Sequence, residues 1–548
     1  MTMTVGVPRL SRRVFLETTA LAMGATALPF APARAAAKYT RYNATSPQGQ
    51  KALASFAKGI EAMLKLPASD PANWFRNAFV HFMDCPHGNW WFYVWHRAFL
   101  GYFEQRIRTL SGDPEFAIPY WDWTQTPQIP DTMFDGALTP TDMAFEPYTK
   151  NLAVFTDFIK PTMQGFWNGM SAGQQDQEKI RGYTSFDLLW NDVTGFDPTV
   201  GKNGAGISGN EAFATTCAAR YLSRDNPKLD AKTTFDVSAF VVIAGLLPID
   251  FYNKVDYLSF TSSMTTSHVV QPSGATQFSV LEGLPHNKVH NYIGGVGPLD
   301  PGPYGNMTNF LSPVDPIFFL HHSNMDRLWD LWTRKQQALN LPFLPTGADG
   351  KTFMDDPFLF FVDGKGQYAG PKKAGDFVST DVFEYDYAPS FGEDLLQMPA
   401  ARPLTGFVPA APAKGTHALT VTVPNAAVRN HLAAASAQPL MALVTLPRPS
   451  GPSMTREFDV IVNAPADVVR VDADSPYYAG TIAFFGPTMP GMKGMSMDAT
   501  FAVPLPRTLH AFTGLGATQN AALSIRLVPS HGQSGAAPAL KMFKVGPL

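Results

Sequence analysis

Apolar residues recur with a helical period from about Gln48 to Leu66, directly after a polar lead containing Thr, Asn and Ser. A denser window opens at Val80 and reads V-H-F-M-D-C-P-H-G-N-W-W-F-Y-V-W-H-R-A-F-L-G-Y-F-E-Q-R-I. Pro86 and Gly88 interrupt any helix there. The pattern predicts an element closed by His81, a loop carrying His87, and a long amphipathic helix from His96 toward Leu110. A second window, Leu281–Trp332, opens L-E-G-L-P-H-N-K-V-H and closes D-P-I-F-F-L-H-H-S-N-M-D-R-L-W-D-L-W. His286 and His290 stand four residues apart, so on a helix both imidazoles project from one face. Residues 124–280 are rich in turns and poor in motifs, and their single histidine, His268, reads as structural. Past residue 390 the pattern changes. Residues 391–414 are rich in Pro, Ala and Gly and read as a linker. From about Thr416 the runs A-L-T-V-T-V, R-E-F-D-V-I-V-N and L-S-I-R-L-V alternate or are β-branched, with Pro/Gly turns between them, as in a β-sandwich.

Composition bounds the function class. A chain of 548 residues that is 45% hydrophobic can fill more than one core. Charged residues make up only 16%, while Phe, Tyr and Trp are plentiful, which argues for a large globular protein and against disorder or a nucleic-acid binder. Past the leader, no segment reaches the roughly 18 uninterrupted apolar residues of a membrane helix. The leader itself carries Arg12-Arg13, a weakly apolar run broken by Glu17, and a small-residue end at Ala33-Arg34-Ala35. It has the form of a twin-arginine export signal spanning residues 1–35, which predicts export in a folded state to the periplasm or beyond. Its removal takes away four Arg and one Glu and moves the formal charge from −3 to −6. Two cysteines, Cys85 and Cys217, make no disulfide framework, and Cys217 reads as an apolar filler.

Seven of the twelve histidines fall in the two windows: His81, His87, His96, His286, His290, His321 and His322. Such clustering in short apolar stretches argues for two metal sites of three imidazoles each. The absence of carboxylates from the set disfavours paired hydrolytic zinc and suits a pair of coppers. Adjacent helical residues point about 100° apart, so His321 and His322 cannot both face one metal, and spacing alone does not choose between them.

The two windows resemble the copper-binding regions of the type-3 copper family: tyrosinases, catechol oxidases and haemocyanins. H-x-x-x-C with a nearby second His and then W-H-R-x-F-L-x-x-F-E resembles the first region. L-E-x-x-P-H-N-x-V-H with D-P-I-F-F-x-H-H-S-N-x-D-R-x-W resembles the second, most closely in its plant polyphenol oxidase form. Ile118-Pro-Tyr-Trp-Asp-Trp123 is similar to a family core segment and reads in any case as a buried aromatic turn. The resemblance implies that His81, His87 and His96 hold one copper and His286, His290 and His322 the other, leaving His321 behind the ligands. It implies a thioether between Cys85 and His87, which the single intervening residue permits. It associates Glu282 and Asn287 with a water over the coppers that accepts a phenol's proton, favouring hydroxylation of monophenols as well as oxidation of o-diphenols. Asn291 is a candidate for steering substrate. Phe310 lies near a plant blocking phenylalanine, with the spacing to Asp315 one residue shorter than in that pattern. Phe318 is expected to pack under the metal pair, and Asp326 to hydrogen-bond a ligand or Arg327.

Tyr385-Asp-Tyr387 resembles the Y-x-Y motif that closes the catalytic domain of plant-like members, and R-E-F-D-V-I-V-N their C-terminal domain. Phe484, Phe485 and a Gly/Pro-rich loop bearing Met489, Met492, Met495 and Met497 are candidates for plugging the active site, and the thioethers for handling Cu(I). The expected architecture is a mainly α catalytic domain at 36–390, an antiparallel four-helix bundle around a dicopper site, then a linker at 391–414 and an all-β shielding domain at 415–548. The expected activity is conversion of monophenols and o-diphenols to o-quinones with O2, latent until the C-terminal domain is displaced, with no nucleic-acid partner. The alternatives are a catechol or o-aminophenol oxidase without monophenolase activity, and a haemocyanin-like O2 carrier.

Overall fold

The computed structural model describes residues 37–547 apart from 195–219, 254–257, 301, 303, 398–407, 413–417, 434–438, 450–454, 487–497, 516–518 and 532–538. The leader, Cys217 and the four loop methionines lie outside the described residues, as does much of the 391–414 segment.

The first part is helical and is organised around helices that are buried on nearly every face where the histidines lie. Helix α1 (Pro47–Lys65) starts where Ser46 accepts the Gly49 N–H, with Pro47 at a first-turn position that needs no donor. Helix α2 (Trp74–Asp84) is capped by Asn73, which accepts from the Phe75 and Arg76 amides. Helix α3 (Phe92–Ser111) begins one turn earlier than the histidine pattern predicts. His96 consequently sits inside the helix, with its Nδ1 2.7 Å from the Phe92 carbonyl. The second window forms a π-helical turn at Glu282–His286 that runs into helix α4 (Asn287–Gly294). Pro285 lies in that turn and has no N–H for an α-type ladder, and wide turns of this kind recur at functional sites. Helix α5 (Ile317–Ala338) buries 19 side chains. Such helices are core elements with no solvent stripe.

Strand β1 (Tyr39–Arg41) pairs in parallel with β3 (Tyr385–Tyr387), so the Y-x-Y motif closes the helical part against the N-terminal strand. Arg41 binds Glu104 at 2.8 Å and Asp326 at 3.2 Å, and Arg97 binds Asp326 at 2.7 Å, all fully buried. Both Tyr385 and Tyr387 donate to Asp326. Asp326 therefore serves Arg97 and Arg41 rather than Arg327, whose Nε donates to Asn324.

The C-terminal part holds β4 (Leu419–Val423), β5 (Leu440–Pro447), β6 (Glu457–Val462), β7 (Tyr478–Ala483), β8 (Asp498–Pro504), β9 (Ala521–Pro529) and β10 (Met542–Pro547). One five-stranded sheet has the order β7-β6-β9-β4 and a short strand at 411–412. The other has the order Thr276–Phe278, β8, β5, β10 and a short strand at 408–409. Strand β2 (Thr276–Phe278) comes from the helical part and pairs in parallel with β8, Gln277 opposite Thr500. The alternation of β6 has an unusual outcome. Phe458, Val460 and Val462 enter the sandwich core, while Glu457 and Asp459 on the other face are 0% exposed because that face docks on the helices. No described helix is long and apolar enough to cross a membrane.

Candidate metal centre

Seven imidazoles converge where α2, the loop after it, α3, α4 and α5 meet. In the first group His81, His87 and His96 have ring centroids 5.4–5.6 Å apart, and the His81 and His96 Nε2 atoms are 3.3 Å apart. In the second, His290 and His322 bring their Nε2 atoms to 3.0 Å. One ring nitrogen from each of His286, His290, His321 and His322 lies within 4.8 Å of the others. The groups face one another, with His96 and His322 stacked at 4.2 Å. Phe318 packs beneath, 4.2 Å from the His322 ring and 5.0 Å from that of His81.

Hydrogen bonds fix how these rings point. The Nδ1 atoms of His81, His96 and His290 lie 2.7 Å from the carbonyl oxygens of Phe310, Phe92 and Met307. That of His286 is 3.0 Å from Asn287 Oδ1. An Nδ1–H held on oxygen leaves the Nε2 lone pair for a metal. The His87 and His286 Nε2 atoms are buried with no partner among the described residues. Burial drives the imidazoles toward the neutral form, to about 3 for His81 and His286 and well below the ordinary value for the others. Neutral nitrogen donors without a carboxylate fit copper in either oxidation state. Cys85 Sγ lies 3.4 Å from His87 Nδ1. His268 is clamped between Asp84, at 2.9 Å, and Asp356. Burial opposes its charge, but the two carboxylates prevail and raise it to about 9. It holds the end of α2 without entering the site.

The residues expected to act on substrate are all present at the mouth, and all are engaged. Glu282 accepts from the Gly88 N–H at 2.6 Å and from the Ser262 hydroxyl, tying the second window to the His87 loop. Burial raises it to about 7 against the pull of those two donors. Asn287 Nδ2 donates to the Ala483 carbonyl at 2.9 Å. Asn291 Nδ2 donates to Glu457 and to the Phe484 carbonyl, both at 3.1 Å. The Phe310 ring stacks on His87 at 5.3 Å. Phe485 enters between the two groups, its centroid 4.3 Å from His290, 4.9 Å from His87 and 5.5 Å from His286. Phe484 turns the other way, onto Phe501 in the sandwich.

Two features of this mouth have no signal in the sequence. Arg448 holds the carbonyls of Phe485, at 2.7 Å, and of Gly486. Gly486 has φ +71°, and a Cβ there would lie 2.6 Å from the Phe310 ring, so the turn beside Phe485 requires glycine. The second is a buried clamp. Lys288 and Glu457 form an ion pair in which both are almost fully buried, and His531 Nε2 approaches the same carboxylate at 2.9 Å. Lys232 and Asp459 repeat the arrangement at 2.6 Å. Lys288, placed between His286 and His290, reads as a surface lysine until β6 is docked on it.

Residues 44–335 match the family model described as the common central domain of tyrosinase. The chain is 23% identical over 351 residues to polyphenol oxidase II of Ipomoea batatas, an alignment covering 61% of the chain and 47% of that relative, so it spans about half the plant enzyme's length. It is 22% identical over 530 residues to a tyrosinase of Hahella sp. (strain CCB-MM4), covering 88% of the chain and 93% of that protein. Among solved structures, latent aurone synthase, a polyphenol oxidase, shares the fold with a TM-score of 0.53 at 20% identity over 96% of this chain and 92% of that one.

Proposed function

The chain belongs to the tyrosinase family, whose members hold a binuclear copper site, and we propose that it is an exported oxidase converting monophenols and o-diphenols to o-quinones. The observation that carries this reading is the pair of facing imidazole groups with an aromatic ring, Phe485, lodged between them. His81, His87 and His96 would hold one copper, and His286, His290 and His322 the other. The two ions would supply the activation of O2. The protein's part is to bind a phenolic ring where Phe485 now sits, between His87, His290 and Phe310, and to keep water from the metals. Glu282, raised to about 7, and Asn287 at the rim would hold a water that takes up the phenol's proton. Glu282→Gln or Asn287→Gly should lower monophenol turnover more than diphenol turnover, measured side by side; equal losses would remove this role.

The engagement of both Glu282 oxygens by Gly88 and Ser262 favours a second reading, a catechol or o-aminophenol oxidase without hydroxylase activity. Assays of the copper-loaded chain on tyrosine, catechol and o-aminophenol separate the two. An optical O2 adduct without turnover of any of them would point to a carrier.

The closed arrangement supports latency. Phe485→Ala should raise turnover about tenfold or more if the open form is below about 10% populated, because apparent affinity scales with the competent fraction. Unchanged kinetics would count against shielding. The thiol beside His87 supports a thioether to the imidazole carbon: the reduced, copper-free protein should then weigh two hydrogens less than its sequence, and Cys85 should resist alkylation. The twin-arginine leader, a catalytic domain at 36–390, a linker at 391–414 and a shielding domain at 415–548 complete the reading.

A further inference from the structure

We propose that Trp123, through its indole N–H, decides which of the adjacent histidines 321 and 322 binds the second copper. The inference rests on the copper assignment above and concerns how the fold enforces it. Four imidazoles, not three, surround the second site, so helix geometry alone does not remove His321. The hydrogen bonds do. Trp123 Nε1 lies 3.2 Å from His321 Nδ1, both buried. An indole N–H can only donate, so Nδ1 of His321 must accept. A ring whose Nδ1 accepts a hydrogen bond is neutral, and its proton is therefore on Nε2.

This is the reverse of the arrangement at His81, His96 and His290, where Nδ1 faces a carbonyl oxygen and keeps the proton. Both nitrogens of His321 are consequently closed to a metal. Nδ1 has its lone pair on the indole, and Nε2 carries hydrogen. Moving the proton to Nδ1 to free Nε2 would set two N–H donors face to face across 3.2 Å. His322 has no such constraint, since its Nδ1 meets no partner among the described residues while its Nε2 lies beside that of His290. The Trp123 side chain thus acts as a specificity element for the ligand set, although it touches no metal.

The test reads copper affinity by competition with graded chelators on the full chain, with stoichiometry by atomic absorption. The wild type should bind two coppers per chain; a wild type that does not overturns the assignment itself, independently of Trp123. His322→Ala should weaken the second copper sharply. Adding Trp123→Phe to His322→Ala frees His321 to change tautomer and should restore second-site affinity by about tenfold or more, the equivalent of one buried donor–donor conflict. No recovery, in protein that folds and keeps its first copper, overturns the proposal. So does a His322→Ala chain that binds both coppers as tightly as the wild type.

A second measurement needs no Trp123 variant. In the Cu(I)-loaded, 15N-histidine-labelled chain, the unligated imidazole whose resonance disappears in His321→Ala should carry its proton on Nε2. A proton on Nδ1, or a seventh metal-shifted imidazole, is the contrary result.

Discussion

Replacing Asp326 with asparagine should cost about 3–5 kcal/mol, because it leaves Arg97 buried without its carboxylate partner and Arg41 with Glu104 alone. Four donors meet on this one carboxylate: two guanidinium groups and the hydroxyls of Tyr385 and Tyr387. Burial alone would raise Asp326; the two arginines and two tyrosines reverse that and hold it below the usual carboxylate value. Its contribution is therefore fully present above pH 3.8, the ordinary value, and fades as the pH falls below it. An amide can accept some of these hydrogen bonds but returns no charge. The expected result is a thermal midpoint lower by on the order of 5–10 °C, followed by circular dichroism. Reduced retention of the second copper should accompany it, since Asp326 stands one turn from His322 on α5. A midpoint within a degree of wild type would show that the arginines find other partners.

The second large effect is expected at Glu457. Glu457→Gln keeps the shape of the side chain and strands the Lys288 ammonium, which is 0% exposed. Breaking a buried pair in this way costs about 3–5 kcal/mol, here charged to the docked state, because an undocked Lys288 returns to water. Each 1.4 kcal/mol is about tenfold in population, so the variant should be constitutively open and turn over phenols without activation. The same pair predicts an acid trigger. Burial would raise Glu457, but Lys288 and His531 outweigh it and hold the carboxyl at about 2, against its ordinary 4.5. A depressed carboxyl stabilises the docked form fully above pH 4.5, and that stabilisation fades as pH falls from 4.5 toward 2. Activity measured at neutral pH immediately after a brief acid pulse should rise for the wild type and not for Glu457→Gln. Activation at an identical pH in both would place the trigger elsewhere.

The histidine windows carried most of the site, because imidazole spacing on helices is a local property. The fold brings His81, His87, His96, His286, His290, His321 and His322 together from the two windows, and the Y-x-Y strand closes the helical part. What was not legible is what depends on pairing across distance. Trp123 reads as one more buried aromatic until His321, 198 positions away, is brought to it. Glu457 and Lys288 look like two solvent charges because each lies on the polar side of its own element. The choice between Phe484 and Phe485 depends on where β7 ends and which face each residue inherits, since successive side chains leave a strand in opposite directions. The start of α3 was misplaced for a related reason: Trp91 and Phe92 extend the helix backward, and His96 needs the Phe92 carbonyl behind it.

Strand β2 bears on how such a protein can be cut. Its three residues lie just upstream of Glu282 and form the outer edge of a sheet whose other members all come from residues beyond 407. Deleting the chain after about residue 395 would uncover the copper mouth, but it would also leave β2 with unmatched N–H and C=O groups and strip Phe278 of its stacking against Phe501. An orphaned edge of that kind recruits strands from other molecules. The shortened protein should therefore be active yet prone to aggregate, and a cut within residues 487–497 that leaves β8 in place should give the longer-lived enzyme.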